Sequence, residues 1–524
     1  MIFLILIVSE KINFAIFNSD NLYIYSILIF ILTILMISIY QIFAHYNRIK
    51  IAIFTNVLLS FFIYIIPLIF ILYALNFETT MTKDILYATF QSNTLESYQY
   101  VKDFIKTQYL IFALFITLLS IMLLYLQAQK ATHKITSSIL PFILIIIYFN
   151  SSSKQIYNLK TPSFISENIN NYYHELKMFR EIQKKRKSGE IEFLASKKQQ
   201  GETYLVIIGE SLNKNHMGVY GYKRETTPYL SKSYKNQELL KFNKVYSNHT
   251  HTMEVLSLAL TQANQYNKKD YYKSLSIIEI LNKADIETYW LTNQNMLGGW
   301  DNLISVIAKN ANHVTSINSS IGYTITAQEY DGVLIPKVEK ILSQKSEKNR
   351  VIFVHLMGNH STYWTRYPQD NYKIYKNSDG NQTDDYDNSI VYNHYVVSSM
   401  LKNLQELKGV NALIYMPDHA DDVKDNKGHG SAHFTFEMTQ IPMLMWFSKD
   451  YKERYPNRYK ILSKNIDKLY SNDLFYDTLI GIFDIKTDKY NRKYDLSSND
   501  YQLKKEEALL LHGKFLYTEK EPKD

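Results

Sequence analysis

Two kinds of hydrophobic patterning divide this chain. In its first part the apolar residues form long unbroken runs. Leu22 to Ala44, Ile51 to Leu75 and Tyr109 to Gln127 are almost wholly apolar and each is long enough to cross a bilayer. Ser138 to Phe149 is shorter but keeps the apolar character around Pro141, while Met1 to Phe17 is interrupted by Glu10 and Lys11. Met1 to Phe17 reads as a span, an interfacial helix or the remnant of a signal; counted as a span, it brings the expected α-helical transmembrane domain over residues 1–150 to about five spans. Arg48 and Lys50, and then Lys130 and Lys134, sit in short loops without acids, which the positive-inside rule places in the cytoplasm. Everything after Phe149 is then expected outside.

From residue 151 to 200 the chain turns polar and reads as a bridge. Its stretch Ile169 to Lys187, ending Lys184-Lys185-Arg186-Lys187, is either an amphipathic helix on anionic head groups or a solvated linker helix. Over 201–524 short apolar runs alternate with helical periodicity. Strands are predicted at Tyr204 to Ile208, Glu287 to Leu291, Val351 to His355, Ala412 to Met416 and Pro442 to Phe447, with helices at Ile277 to Lys283 and Asp387 to Leu404. That alternation predicts an α/β domain with a central, mainly parallel sheet. The tail after Lys486 is charged, weakly patterned and expected to be surface or accessory.

Chemistry gathers where the strands stop. The run closed by Gly209 delivers Glu210; the run closed by Met416 delivers, past Pro417, Asp418 and His419; the run from Val351 leads through Met357 and Gly358 to His360. Open α/β sheets place their sites at the carboxyl ends of strands, and carboxylates with an imidazole on one edge suit a Zn²⁺ ion. With no cysteine in the chain, the nucleophile is sought elsewhere. In Ser247-Asn-His-Thr-His-Thr-Met253 polar residues give way to a helical pattern, so Thr252 sits near a helix start. A threonine there is either a cap, as Thr250 also is, or a nucleophile whose hydroxyl is activated by metal, at a position where backbone amides favour a phosphoryl group.

Glu210-Ser-Leu-Asn-Lys-Asn-His-Met-Gly-Val-Tyr-Gly-Tyr-Lys-Arg-Glu-Thr-Thr-Pro228, His355-Leu-Met-Gly-Asn-His360 with Arg366-Tyr-Pro368, Asn293-Gln-Asn with Gly298-Gly-Trp-Asp301, and Asp418-His419 together resemble the bacterial phosphoethanolamine transferases. The resemblance implies an inner-membrane protein with a periplasmic sulfatase-like domain of the alkaline phosphatase superfamily, using Zn²⁺. It implies Glu210, Thr252, Asp418 and His419 as zinc ligands, Thr252 also as nucleophile with Thr250 as fallback, and His360 and His429 beside the phosphoryl group, with His433 a rival to His429. The implied donor is phosphatidylethanolamine and the acceptor lies in the cell envelope: lipid A, lipopolysaccharide core, or another surface glycan or protein. The segment Gln91-Ser-Asn-Thr-Leu-Glu96 is either an ordinary connecting helix or a family-like element near the lipid donor. Ser211, Lys214 and Ala420 depart from the commoner pattern, where Thr, Arg and Gly stand.

Composition adds little to this picture. Lys and Arg number 58 against 50 Asp and Glu, intermixed along the chain, which argues against a nucleic-acid partner. Absence of cysteine excludes a disulfide-braced catalytic domain. The rival readings are a phosphoglycerol transferase or sulfatase of the same superfamily, or an inert membrane-anchored scaffold. No modified Cys/Ser-x-Pro-x-Arg motif of sulfatases is present. His249 and His512 are read as lone structural histidines.

Overall fold

The computed structural model describes residues 160–294, 303–318, 329–376, 382–407 and 409–520, with residues 81–91, 105–111 and isolated positions between 38 and 122. The chain divides into two compact units, Met1–Leu86 with Val101–Tyr172, and Tyr87–Tyr100 with Tyr173–Asp524. Of the expected spans, Met1 to Phe17 and Ser138 to Phe149 lie outside the described residues, and only isolated positions of the other three are described. No helix among the described residues is long and apolar enough to cross a membrane. The segments around Gly298-Gly-Trp-Asp301 and Ser92 to Glu96 also lie outside the described residues.

The second unit is built on a seven-stranded sheet. In chain order its strands are β1 (Thr203–Gly209), β2 (Leu239–Phe242), β3 (Glu287–Thr292), β4 (His313–Ser316), β5 (Arg350–His355), β6 (Val410–Pro417) and β7 (Met443–Phe447). Across the sheet they run β2-β7-β6-β1-β5-β3-β4. β1, buried at every position, occupies the centre between β5 and β6 and is parallel to both. Its side chains alternate between two cores, as a pleated strand requires. Tyr204, Val206 and Ile208 enter one with Val255 and Ala259 of α2 (Thr252–Ala259), Ile277 and Leu281 of α3 (Ile277–Lys283) and Leu479 of α6 (Phe475–Ile482). Leu205 and Ile207 enter the other with Val338 of α4 (Ile335–Ser343) and Val396, Met400 and Leu404 of α5 (Thr383–Glu406). Each fully buried side chain of this kind contributes roughly 1.5–3 kcal/mol, so the sheet is held from both faces.

The sheet is mixed, which corrects one expectation in part. β7, foreseen at Pro442 to Phe447, runs antiparallel to both β6 and β2, and an apolar run carries no information about strand direction. The edge strands β2 and β4 went unforeseen because they are short and half exposed, without a continuous apolar run.

The bridge forms the helix α1 (Lys160–Lys187), and its second half is packed on the α/β unit. Phe179 is fully buried with Leu176 packed beside it, and Arg186 places its guanidinium 3.3 Å from Glu279 Oε1 and donates to the Ser274 carbonyl. Residues 173–187 thus spend their apolar face on the α/β unit. Nor is the stretch after Lys486 a surface appendage. Leu496 and Tyr501 join the core, while Ala508, Leu510 and Tyr517 enclose Tyr246.

Candidate active site

Three strands end level. Ile208 pairs with His355 of β5 and Met416 of β6, and Gly209 with Pro417, so Glu210 and Asp418 leave the sheet side by side. The turn after β5 packs against them: Leu356 N–H donates to Ile208 O and Asn359 N–H to Glu210 O. Gly358 has φ 52°, and a Cβ there would stand 2.8 Å from both the nitrogen and the oxygen of the Glu210 backbone. That approach leaves no room for a Cβ, and the left-handed φ adds strain for any residue but glycine. Asp331 fastens the same turn, its carboxylate accepting from the N–H groups of Met357 (2.9 Å) and Gly358 (2.8 Å) and from Asn293 Nδ2.

Four side chains converge at this edge. His419 Nε2 lies 3.3 Å from Glu210 Oε1 and 3.4 Å from Asp418 Oδ2. Thr252, first residue of α2, donates its hydroxyl to Glu210 Oε2 at 3.2 Å and stands 3.5 Å from His419 Nε2. Glu210, Asp418 and His419 are at most 1% exposed. Asp418 Oδ1 accepts from the N–H groups of Ser211 and His419; its Oδ2 is buried and accepts no hydrogen bond.

Such a group needs positive charge. Burial opposes ionisation of Glu210, but the hydrogen bond and charge of His419 outweigh it and hold the carboxyl well below its usual range. Burial and the adjacent Glu210 charge push Asp418 well above the usual range. Burial would lower His419, yet Asp418 and Glu210 raise it to about 10. Without a bound cation, the proton on the imidazole serves as the counter-charge. The donors fit a divalent metal of the zinc type. Two carboxylates and one imidazole nitrogen offer ligand atoms within 4.8 Å of one another, Asp418 Oδ2 is buried with no hydrogen bond, and His419 Nδ1 lies 3.3 Å from the Ala420 carbonyl, leaving Nε2 for an ion. Thr252 Oγ1 adjoins the same group, 3.2 Å from Glu210 Oε2 and 3.5 Å from His419 Nε2.

Two further histidines adjoin this group. The His429 ring is 4.6 Å from that of His419 and 6.1 Å from that of His360. Asp421 accepts from His429 Nδ1 at 2.8 Å and is itself held by the Tyr363 hydroxyl at 2.6 Å. A second set of metal-ligand type, His419, Asp421 and His429, shares His419 with the first. Burial, reinforced by Arg366, lowers His360 to about 4 against the opposing pull of Glu210, so its ring is neutral. The rival His433 directs Nε2 to the Lys427 carbonyl. Thr252 rather than Thr250 is the threonine hydrogen-bonded into the group.

Sequence reasoning passed over several members. Gln294 donates to Glu210 Oε2 at 2.9 Å; it stands two residues past the end of β3, inside the Asn293-Gln-Asn stretch, without a charge to mark it. Asp421 stands two residues beyond His419. Asp331 and His251, whose Nε2 is 3.1 Å from Ser431 Oγ, follow no strand and give no such signal.

The sulfatase family profile matches residues 202–485. The phosphoethanolamine transferase EptC of Escherichia coli strain K12 is 27% identical over 426 residues, covering 74% of this chain and 73% of that protein. CptA of Salmonella typhimurium, also a phosphoethanolamine transferase, is 27% identical over 316 residues, 57% of this chain and 54% of that one. The C-terminal periplasmic domain of Escherichia coli EptC in complex with Zn superposes with a TM-score of 0.55 at 27% identity, over 63% of this chain and 97% of that domain. The integral membrane protein lipooligosaccharide phosphoethanolamine transferase A of Neisseria meningitidis shares the fold at a TM-score of 0.60 and 18% identity, over 87% of this chain and 91% of that one.

Proposed function

The chain belongs to the sulfatase family, and from that premise we propose that it is a zinc-dependent phosphoethanolamine transferase of the bacterial inner membrane with its catalytic unit in the periplasm. One observation carries the reading: Thr252 Oγ1 stands at hydrogen-bond distance from Glu210 and His419, in the group that also holds Asp418, whose buried Oδ2 accepts no hydrogen bond. Glu210, Asp418, His419 and Thr252 would hold the ion. When bound, Zn²⁺ supplies Lewis-acid polarisation of a phosphoryl oxygen and lowers the pKa of the threonine hydroxyl.

In the first step Thr252 Oγ1 attacks the phosphorus of phosphatidylethanolamine. The Thr252 O–P bond forms, the bond from phosphorus to the diacylglycerol oxygen breaks, and that oxygen takes a proton. Phosphoethanolamine is left as an ester on Thr252. In the second step a hydroxyl or phosphate oxygen of an envelope acceptor displaces threonine. Lipid A, the lipopolysaccharide core or another surface glycan or protein fits that role. Thr252 opens α2, whose first-turn amides have no acceptor within the helix, an arrangement favourable to an anionic phosphoryl group. His429, oriented by Asp421, and neutral His360 stand where they contact the phosphoryl oxygens or pass a proton to the departing one.

Intact-mass spectrometry of the zinc-loaded protein after incubation with phosphatidylethanolamine tests this. A phosphoethanolamine adduct in wild type and Thr250→Ala, absent in Thr252→Ala, is the expected result. Absence of both adduct and diacylglycerol release from the wild type overturns the donor assignment.

A further inference from the structure

Three segments remote in sequence meet on one asparagine. Asn248, just ahead of Thr252, donates both its backbone N–H and its Nδ2 to Asn472 Oδ1, at 2.9 and 2.7 Å. Asn472 in turn donates its Nδ2 to the carbonyl of Asp418 at 2.7 Å. From the other side, His512 Nε2 lies 2.9 Å from Asn248 Oδ1 and 3.2 Å from the Glu254 carbonyl. Both of those are acceptors, so Nε2 carries the hydrogen and the ring donates. The polarity is consistent throughout: Asn248 Nδ2 donates to Asn472 Oδ1 and, at 3.4 Å, to the Val255 carbonyl of α2, and Asn248 Oδ1 takes the histidine. Asn248 and Asn472 are fully buried, so the bonds between them are exchanged for no water, while His512 closes the network from the exposed side.

The chain bears a backbone cost to bring His512 there. Leu511 and His512 have φ of 49° and 55°, a left-handed conformation that non-glycine residues seldom adopt. The turn is anchored by pairing of Leu509–Leu510 with Phe515–Leu516 and by burial of Leu510 and Tyr517 against Tyr246. The His512 N–H also reaches the Asn248 carbonyl, at 3.4 Å.

We propose that Asn472, Asn248 and His512 form a clamp that positions the nucleophile, with the C-terminal segment as its outer jaw. Asn472 ties the start of α2 to the Asp418–His419 segment, and His512 fixes the Asn248 amide in the one orientation that keeps both bonds to Asn472. The inference rests on the reading of Thr252 as nucleophile. A displacement of Thr252 by about 1 Å costs on the order of a hundredfold in rate, so a clamp on its segment acts on turnover without touching substrate. His512 is a positioning residue.

The test uses the full-length, zinc-loaded protein in detergent and compares wild type, His512→Ala and His512→Gln; the Gln amide can still donate to Asn248 Oδ1. Diacylglycerol release from phosphatidylethanolamine gives kcat and KM, thermal unfolding gives Tm, and hydrogen exchange reports on the peptide 247–255. For His512→Ala we expect kcat to fall about tenfold with KM and Tm unchanged and exchange at 247–255 to accelerate. His512→Gln should recover most of kcat and the protection. Wild-type kcat and protection in His512→Ala, an equal loss in both variants, or a loss that tracks a fall in Tm would overturn the clamp. A wild type that releases no diacylglycerol overturns the functional reading instead, and exchange at 247–255 then decides the clamp alone.

Discussion

If His419 carries the proton that balances two buried carboxylates, metal binding must displace it. The ligand form of histidine is neutral, whereas Asp418 and Glu210 hold this imidazole at about 10. At pH 7 the neutral ring is then present in about one molecule in a thousand, and freeing the nitrogen costs about 4 kcal/mol. Each unit of pH above 7 returns about 1.4 kcal/mol, a factor of ten in affinity. Zinc affinity is therefore predicted to rise about a hundredfold between pH 7 and pH 9, with about one proton released per ion bound. The sign for stability follows from the same shift. A histidine raised from 6.5 to about 10 contributes stability fully below pH 6.5 and loses it as pH climbs toward 10. The metal-free protein should lose Tm from pH 7 to 9 while the zinc-loaded protein holds it, widening the gap between them. Competition against a chelator of known pH dependence measures the first effect, calorimetry in buffers of different ionisation enthalpy counts the protons, and thermal unfolding measures the second. An affinity that stays flat between pH 7 and 9, with no proton released, would refute the charge balance argued for this site.

Three further substitutions probe what holds the site. Gly358→Ala puts a methyl group against the Glu210 backbone in a left-handed conformation and should cost about 1–3 kcal/mol, seen as a lower Tm together with weaker zinc binding; an unchanged Tm would contradict the close approach. Lys197→Met removes the buried ammonium 2.6 Å from Glu202 but leaves Glu202 its Arg454 partner, so it should destabilise by about 1–3 kcal/mol, while activity per folded molecule is kept because Glu202 precedes β1 and Glu210 follows it. Asp421→Asn loses the carboxylate that orients His429 and should slow transfer by about tenfold or more with Tm little changed; a wild-type rate would remove His429 from the mechanism.

The strand ends were legible in the sequence for a physical reason. A strand buried on both faces excludes charge, so the first carboxylate after Gly209 or Pro417 marks where the sheet stops, and parallel neighbours of similar length bring those carboxylates together. Glu210 and Asp418, with His419 next to it, could be placed from that rule alone, whereas Gln294, uncharged and second after β3, gives no such mark. The same locality explains the failures. β7 has the pattern of a parallel strand and runs the other way, because direction is fixed by the connections and not by its residues. Asn248 bonds to partners 224 and 264 positions away, and nothing in Tyr-Ser-Asn472-Asp or Leu-Leu-His512-Gly distinguishes those polar residues from a turn or a cap. A buried amide whose shortest hydrogen bonds go to other segments is specified only once the fold has brought them together, so the residues that tune a site are the ones local pattern conceals. That is why His512, set aside as a lone histidine, became the outer member of the network around Thr252 only when the chain was folded.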